Sequence, residues 1–185
     1  MQQGTNQALQ GKRVAILMTD GVEQVEYTGP REFLEQQGAQ ITLISPKASG
    51  EAIQGFNHLT PADKFKVELD VRDARPADFD ALVLPGGVAN PDQLRLSMEA
   101  ITFIRAFGRE DKPIAAICHG PSLLAEADIL EGRAVTGWPS ILTDLENAGA
   151  QVFDEEVIVD GNLITGREPA DIPAFSRALI DALNA

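Results

Sequence analysis

The chain has 185 residues, 44% of them hydrophobic, and a formal net charge of −13. That length fits one domain with a sizeable core, and that apolar share excludes a disordered chain. The acidic balance argues against a nucleic-acid partner, which clustered Lys and Arg would serve, and the single cysteine excludes an internal disulfide framework.

The opening MQQGTNQALQGKR lacks a basic segment followed by a long apolar one, so it does not read as a secretory signal. Residues 1–11 are expected to form a polar, mobile tail, ahead of a single domain over residues 12–185. No apolar run reaches the roughly 18–20 residues a membrane helix needs. A reducing, cytoplasmic setting is the simplest expectation for a chain with one thiol.

RVAILMT (13–19) predicts a buried strand. EYTGPREFLEQQGA predicts a helix, with Pro30 in its first turn, Phe33, Leu34 and Gln37 on one face, and Gly38 as its stop. QITLIS (40–45) predicts a second strand. Residues 46–77 are polar and irregular, apart from an alternation in FKVELD that suggests an edge or hairpin strand. FDALVLPGG predicts a third strand with a Pro-Gly-Gly stop, and Met98, Ile101, Ile104 and Phe107 then recur at helical spacing. PIAAIC predicts a fourth strand, and PSLLAEADIL a helix with Pro121 at its first position. AVTG is read as a short strand, and SILTDLENAGA as a helix ending at Gly149. VIVDGNLIT reads as a hairpin turning at Asp160-Gly161, and Ile172, Phe175, Leu179 and Leu183 share one face of a last helix. Strands alternating with helices predict an α/β sandwich around a mostly parallel sheet, in which ligands bind at the carboxyl ends of the strands.

Three such strand ends carry chemistry. AAICHG resembles a nucleophile elbow, with Ala116 and Gly120 in the positions that must be small and Cys118 lifted above the sheet. A thiol there sits at a helix N-terminus, where the dipole favours thiolate; the residues alone leave open the alternative of a buried, inert cysteine. His119 is a candidate base or a packing residue, and His58 reads as a surface residue. Two histidines and one cysteine far apart argue against a metal site. Gly86 and Gly87 present backbone N–H groups that can hold an oxyanion, or form a plain turn. Glu23 and Glu26 follow the first strand, where a carboxyl near a thiolate would be pushed toward its protonated form, or where two glutamates simply complement a helix dipole. No phosphate-binding glycine motif is present, so no nucleotide cofactor is expected.

With DGVEQVEYTGPREFLEQQGA, FDALVLPGG, PIAAICHGP and VIVDGNLITGREPAD in this order, the chain resembles the ThiJ/PfpI superfamily, and most closely its PfpI branch of stress proteins and intracellular proteases. The resemblance runs from about Lys12 to Leu183. It implies a flavodoxin-like three-layer sandwich related to the class I glutamine amidotransferases, acting without a cofactor and self-associating as a homodimer or hexamer. It implies Cys118 as nucleophile, Glu26 as the carboxyl touching the thiol, Glu23 in the same pocket with Gly86 and Gly120, the N–H groups of Gly87 and His119 as the oxyanion pocket, and His119 as the second catalytic residue. Asp92 stands nearest to the place where PfpI-type proteases supply a glutamate from a neighbouring subunit, one methylene shorter and in a loop one residue longer. The activity implied is attack on methylglyoxal and its adducts with proteins or nucleotides, as a deglycase or glyoxalase. The alternatives are an intracellular cysteine peptidase and a non-enzymatic redox sensor or chaperone-like stress protein.

Overall fold

A computed structural model describes residues 7–185. β1 (Arg13–Leu17) leads through a two-residue strand, β2 (Val22–Glu23), into α1 (Gln24–Gln36) and back to β3 (Gln40–Ser45). A hairpin of β4 (Ala52–Asn57) and β5 (Thr60–Lys66) follows, then a short β6 (Leu69–Asp70). β7 (Ala81–Leu84) precedes α2 (Ala89–Leu94) and α3 (Met98–Arg109); β8 (Ile114–Ile117) precedes α4 (Ser122–Glu126). β9 (Ala134–Val135), α5 (Leu142–Asn147), β10 (Gln151–Val152), β11 (Val157–Asp160), β12 (Leu163–Gly166) and α6 (Ile172–Asn184) complete the chain.

Seven strands form the central sheet in the order β11-β12-β8-β7-β1-β3-β6. Every neighbour is parallel except the β11–β12 hairpin. Because β1, β7 and β8 are covered on both faces, they are continuous apolar runs rather than alternating ones. Leu82, Leu84, Ile114 and Ala116 face Ile101, Ile104 and Phe107 of α3, and Ala81, Val83, Ala115 and Ile117 face α1 and α6 through Leu34, Phe175 and Leu179. The result is a three-layer sandwich, as the alternation of elements predicts. Successive units run outward from β1 in opposite directions, to β3 on one side and β7 on the other, so a crevice opens at their carboxyl ends.

Several local expectations are revised. Residues 1–6 of the expected tail lie outside the described residues, but the chain is already packed by Leu9, which is fully buried and donates its N–H to Gln37 O at 2.8 Å. Pro30 lies inside α1 and not in its first turn, because the helix starts at Gln24 and buries Glu26 and Tyr27 on the way. Its missing N–H leaves the Glu26 carbonyl without the usual partner one turn on. The irregular segment holds the β4–β5 hairpin, which extends β2 in a separate three-stranded sheet. β9 does not join the main sheet but pairs with β10. Met98 opens α3 exposed, while Ile101, Ile104 and Phe107 are buried. The expected stop at Gly38 holds, with φ at +90° just past the helix end.

Since Leu9 sits in the core, Leu9→Ala is expected to lower unfolding free energy by about 2–3 kcal/mol. Chemical denaturation measures this, and an unchanged midpoint would mean that the residue belongs to a loose tail.

Candidate active site

Cys118 closes β8 with φ at +61°, a conformation that side chains rarely adopt. The surrounding backbone fixes it there. Its N–H bonds Gly166 O at 3.0 Å, its carbonyl accepts from Trp138 N at 2.8 Å, and Gly120 N returns to Ile117 O at 2.8 Å. A Cβ on Gly120 would lie 2.3 Å from Leu84 O, so only glycine lets the elbow fold against β7. This is the expected nucleophile elbow, built on the strain such turns require.

Glu26, in the first turn of α1, is fully buried beneath this elbow. Its Oε2 accepts the Gly86 N–H at 2.7 Å, while Oε1 is buried without a hydrogen-bond partner of good geometry. The Cys118 thiol lies beside it, close enough for each group to shift the other's proton affinity. Gly86 is the meeting point of the three strand ends. A Cβ there would stand 2.7 Å from Glu26 Oε2, 2.8 Å from His119 N and 2.9 Å from Cys118 Cβ. Buried Asn90 pins the glycine turn to β1, accepting from Thr19 N at 2.7 Å and donating to the carbonyls of Pro85 and Gly86 at 2.9 and 3.0 Å.

Burial sets the electrostatics. It pushes the Glu26 carboxyl up from 4.5 to about 8, against the opposing pull of the Gly86 N–H and the Cys118 thiol. It also pushes the Cys118 thiol up, and the nearby Glu26 charge adds to this, while the N–H groups of His119 and Gly87 pull the other way and lose. The expectation that a helix dipole favours thiolate is therefore corrected. α4 has only five residues, and a dipole term of about 0.3–1 kcal/mol does not offset burial beside a carboxyl. The two groups share one site, where burial and their mutual repulsion disfavour a second negative charge, so the thiol keeps its proton when Glu26 is ionised.

His119 Nδ1 lies 3.3 Å from Cys118 Sγ, and its Nε2 lies 3.4 Å from Ser140 Oγ. The imidazole stacks on Trp138 with ring centres 5.9 Å apart, and burial lowers its pKa, which favours the neutral ring. The pair opens into a cleft of about 470 Å³ whose lining includes Glu23, Gly87, His58 and Trp138. The structure thus brings together Cys118, His119, Glu26, Glu23, Gly86, Gly87 and Gly120. It does not bring Asp92 to the cleft: the residue is exposed on α2, away from His119 within one chain.

His58 is exposed, as expected of a surface residue, but it also borders the site. It sits at the β4–β5 tip with φ at +55°, lines the cleft, and donates its N–H to Glu23 Oε2 at 2.9 Å. Asn90, Trp138 and Ser140 join the site without a motif to announce them. A Gly-Trp-Pro run after a strand is the only trace that Trp138 and Ser140 leave in the sequence. Among the described residues, no group of three or more His, Cys, Asp or Glu is placed to hold a metal ion, and no helix is long and apolar enough to cross a membrane.

A family model described as the DJ-1/PfpI family matches residues 12–182. General stress protein 18 of Bacillus subtilis is 43% identical over 168 residues, covering 90% of this chain and 95% of that protein. "Putative cysteine protease YraA" of the same organism is 40% identical over 172 residues, covering 93% and 98%. A two-domain protein of Anabaena variabilis, with DJ-1/ThiJ/PfpI-like and ferritin-like domains, superposes with a TM-score of 0.86 at 36% identity. That match covers 93% of this chain, which spans about half (48%) of the larger one.

Two outcomes follow from this geometry. Gly86→Ala is expected to displace Glu26 or the elbow, so Cys118 modification by a thiol reagent should change rate at least severalfold, with the fold retained by circular dichroism. For Glu26, the folded chain holds its proton up to about pH 8 while the unfolded chain loses it near 4.5, so this group's contribution falls as pH rises through that window. Glu26→Gln removes the dependence. The stability of the variant relative to the parent should therefore grow between those pH values by up to a few kcal/mol. A gap that shrinks with rising pH would contradict a burial-raised carboxyl.

Proposed function

This chain belongs to the DJ-1/PfpI family, and on that footing we propose that it is a cysteine-dependent stress-response enzyme acting on methylglyoxal and its adducts, with Cys118 as nucleophile. The observation that carries the reading is the buried Glu26 carboxyl set against the Cys118 thiol at the floor of an open cleft. A carboxyl whose pKa is about 8 both gives and takes protons near neutrality, which is what a general acid–base requires.

The chemistry balances without an outside oxidant. Glu26 accepts the thiol proton as sulfur bonds to the aldehyde carbon and the carbonyl electron pair moves to oxygen. The N–H groups of Gly87 and His119, on the sulfur's side, stand to receive that oxyanion. Glu26 then returns the proton to the new alkoxide and is a carboxylate again. It next removes the hydrogen on the same carbon as a proton, the electron pair passes into an enediolate, the hydroxyl proton of the first carbon moves to the oxygen of the second, and the carbon-bound proton returns to the second carbon. The first carbon is oxidised to a thioester and the second reduced to an alcohol. Water cleaves the thioester to lactate and regenerates the thiol, with neutral His119 positioned to take the water proton. From an adduct, the amine or thiol departs with a proton as Cys118 replaces it.

A second reading, a cysteine peptidase, is favoured by the name of the 40%-identical Bacillus relative. Against it, Asp92 is outside the cleft of its own chain, so peptide hydrolysis would draw its acid from a neighbouring copy. A purely redox-sensing role fits less well with a thiol that is 6% exposed and pushed toward its protonated form.

Cys118→Ala is expected to abolish lactate formation from methylglyoxal, and Glu26→Gln to lower kcat by roughly 10²–10⁴-fold. Turnover that survives Cys118→Ala would refute the proposal; casein cleavage lost in the same variant would support the peptidase instead.

A further inference from the structure

The charge of the cleft bears on what it accepts. Its lining holds the carboxyls of Glu23 and Glu26 and the imidazoles of His58 and His119, with no Lys or Arg. Residues 1–6, outside the described part, contain no Lys or Arg to add to it. Arg167, the cation nearest in sequence to a wall residue, and Lys47, paired with a residue of the adjoining depression, are both engaged. Arg167, two residues before the wall residue Pro169, is tied to Asp154 at 2.8 Å and Asp171 at 3.0 Å. Lys47 is tied at 2.6 Å to Asp20, which borders the adjoining depression shared by His58 and Val88.

Glu23 is held in place at this cleft by the His58 N–H at 2.9 Å, and its charge is felt at the floor, where it helps to push Glu26 up. Apart from Ser140, the remaining walls are apolar. Leu59 is 91% exposed at the hairpin tip and Val88 is 67% exposed after the glycine turn, and both line the cleft together with Trp138. Such walls suit the methylene stem of a long side chain, whose charged head can lie against Glu23. A phosphate or carboxylate in the same place would meet a like charge and no donor cation.

We propose that the cleft selects carbonyl adducts carried on basic peptide segments and disfavours those on anionic carriers, with Glu23 as the residue that sets this preference. The inference rests on the reading of Cys118 as nucleophile toward such adducts, and it narrows that reading to one class of carrier.

The test uses acetylated, amidated peptides Lys-Cys-Lys and Glu-Cys-Glu, each converted by methylglyoxal to the same cysteine hemithioacetal. Lactate release is followed at matched free methylglyoxal and low salt. The Lys-flanked adduct should show a kcat/KM about tenfold above the Glu-flanked one. Glu23→Gln should compress that ratio to about twofold or less, and Glu23→Lys should invert it. Equal or reversed rates in the parent chain overturn the proposal. So does a ratio that Glu23→Gln leaves intact, since the charge of the whole molecule, almost unaltered by one substitution, would then be its source. Binding of the two adducts to the Cys118→Ala chain by calorimetry separates the two levels. A Lys-over-Glu preference in binding with no turnover in the parent refutes the catalytic reading alone. Equal binding refutes the charge selection whatever the turnover.

Discussion

One hydrogen bond, from the Gly86 N–H to Glu26 Oε2 at 2.7 Å, organises the site. A carboxyl removed entirely from water is costly, and an isolated charge there is untenable without compensation. The chain supplies a single good donor and one thiol, and everything nearby is arranged so that both can reach. Gly86 has no side chain because a Cβ would occupy the space of Glu26, the His119 backbone and Cys118 at once. Asn90 is buried because its amide must hold the glycine turn against the end of β1. Cys118 tolerates a left-handed backbone because the bonds to Gly166 and Trp138 over-determine it.

The sheet makes this arrangement possible. β1, β7 and β8 are neighbours in space although separated in sequence, and each delivers one component at the same edge. Glu26 comes from the unit that runs from β1 to β3, whereas Gly86 and Cys118 come from units on the other side of the switch point. The Glu26–Cys118 pair therefore spans the place where the topology reverses, at the carboxyl ends of the strands. Partial instability of the floor, a buried carboxyl that prefers its proton, is what gives Glu26 a proton affinity useful near neutral pH.

Much of this is legible in the sequence because parallel strands buried on both faces must be unbroken apolar runs. RVAIL, ALVL and IAAI declare themselves, and so do the glycines and the cysteine that follow them. What escapes are features set by long-range packing. His58 is 35 residues from the Glu23 carboxylate that anchors it, and nothing local marks the pair. Asn90 carries no local mark, since its role depends on Thr19, 71 residues away. Pro30 misleads because proline favours a first turn, yet the helix begins earlier to deliver Glu26 into the floor. The protonation of Cys118 escapes for a quantitative reason. Position at a helix start is visible in sequence, whereas the depth of burial that outweighs it is not.

Trp138 has a consequence of another kind. It is the chain's one tryptophan, its ring lies against the His119 imidazole, and its main-chain N–H is bound to the Cys118 carbonyl. The indole emission of the whole molecule therefore originates at the cleft wall. No other tryptophan dilutes the signal. Light absorbed and re-emitted at that ring reports on the imidazole beside it, so the protein carries a built-in optical probe of its own cleft, without a label.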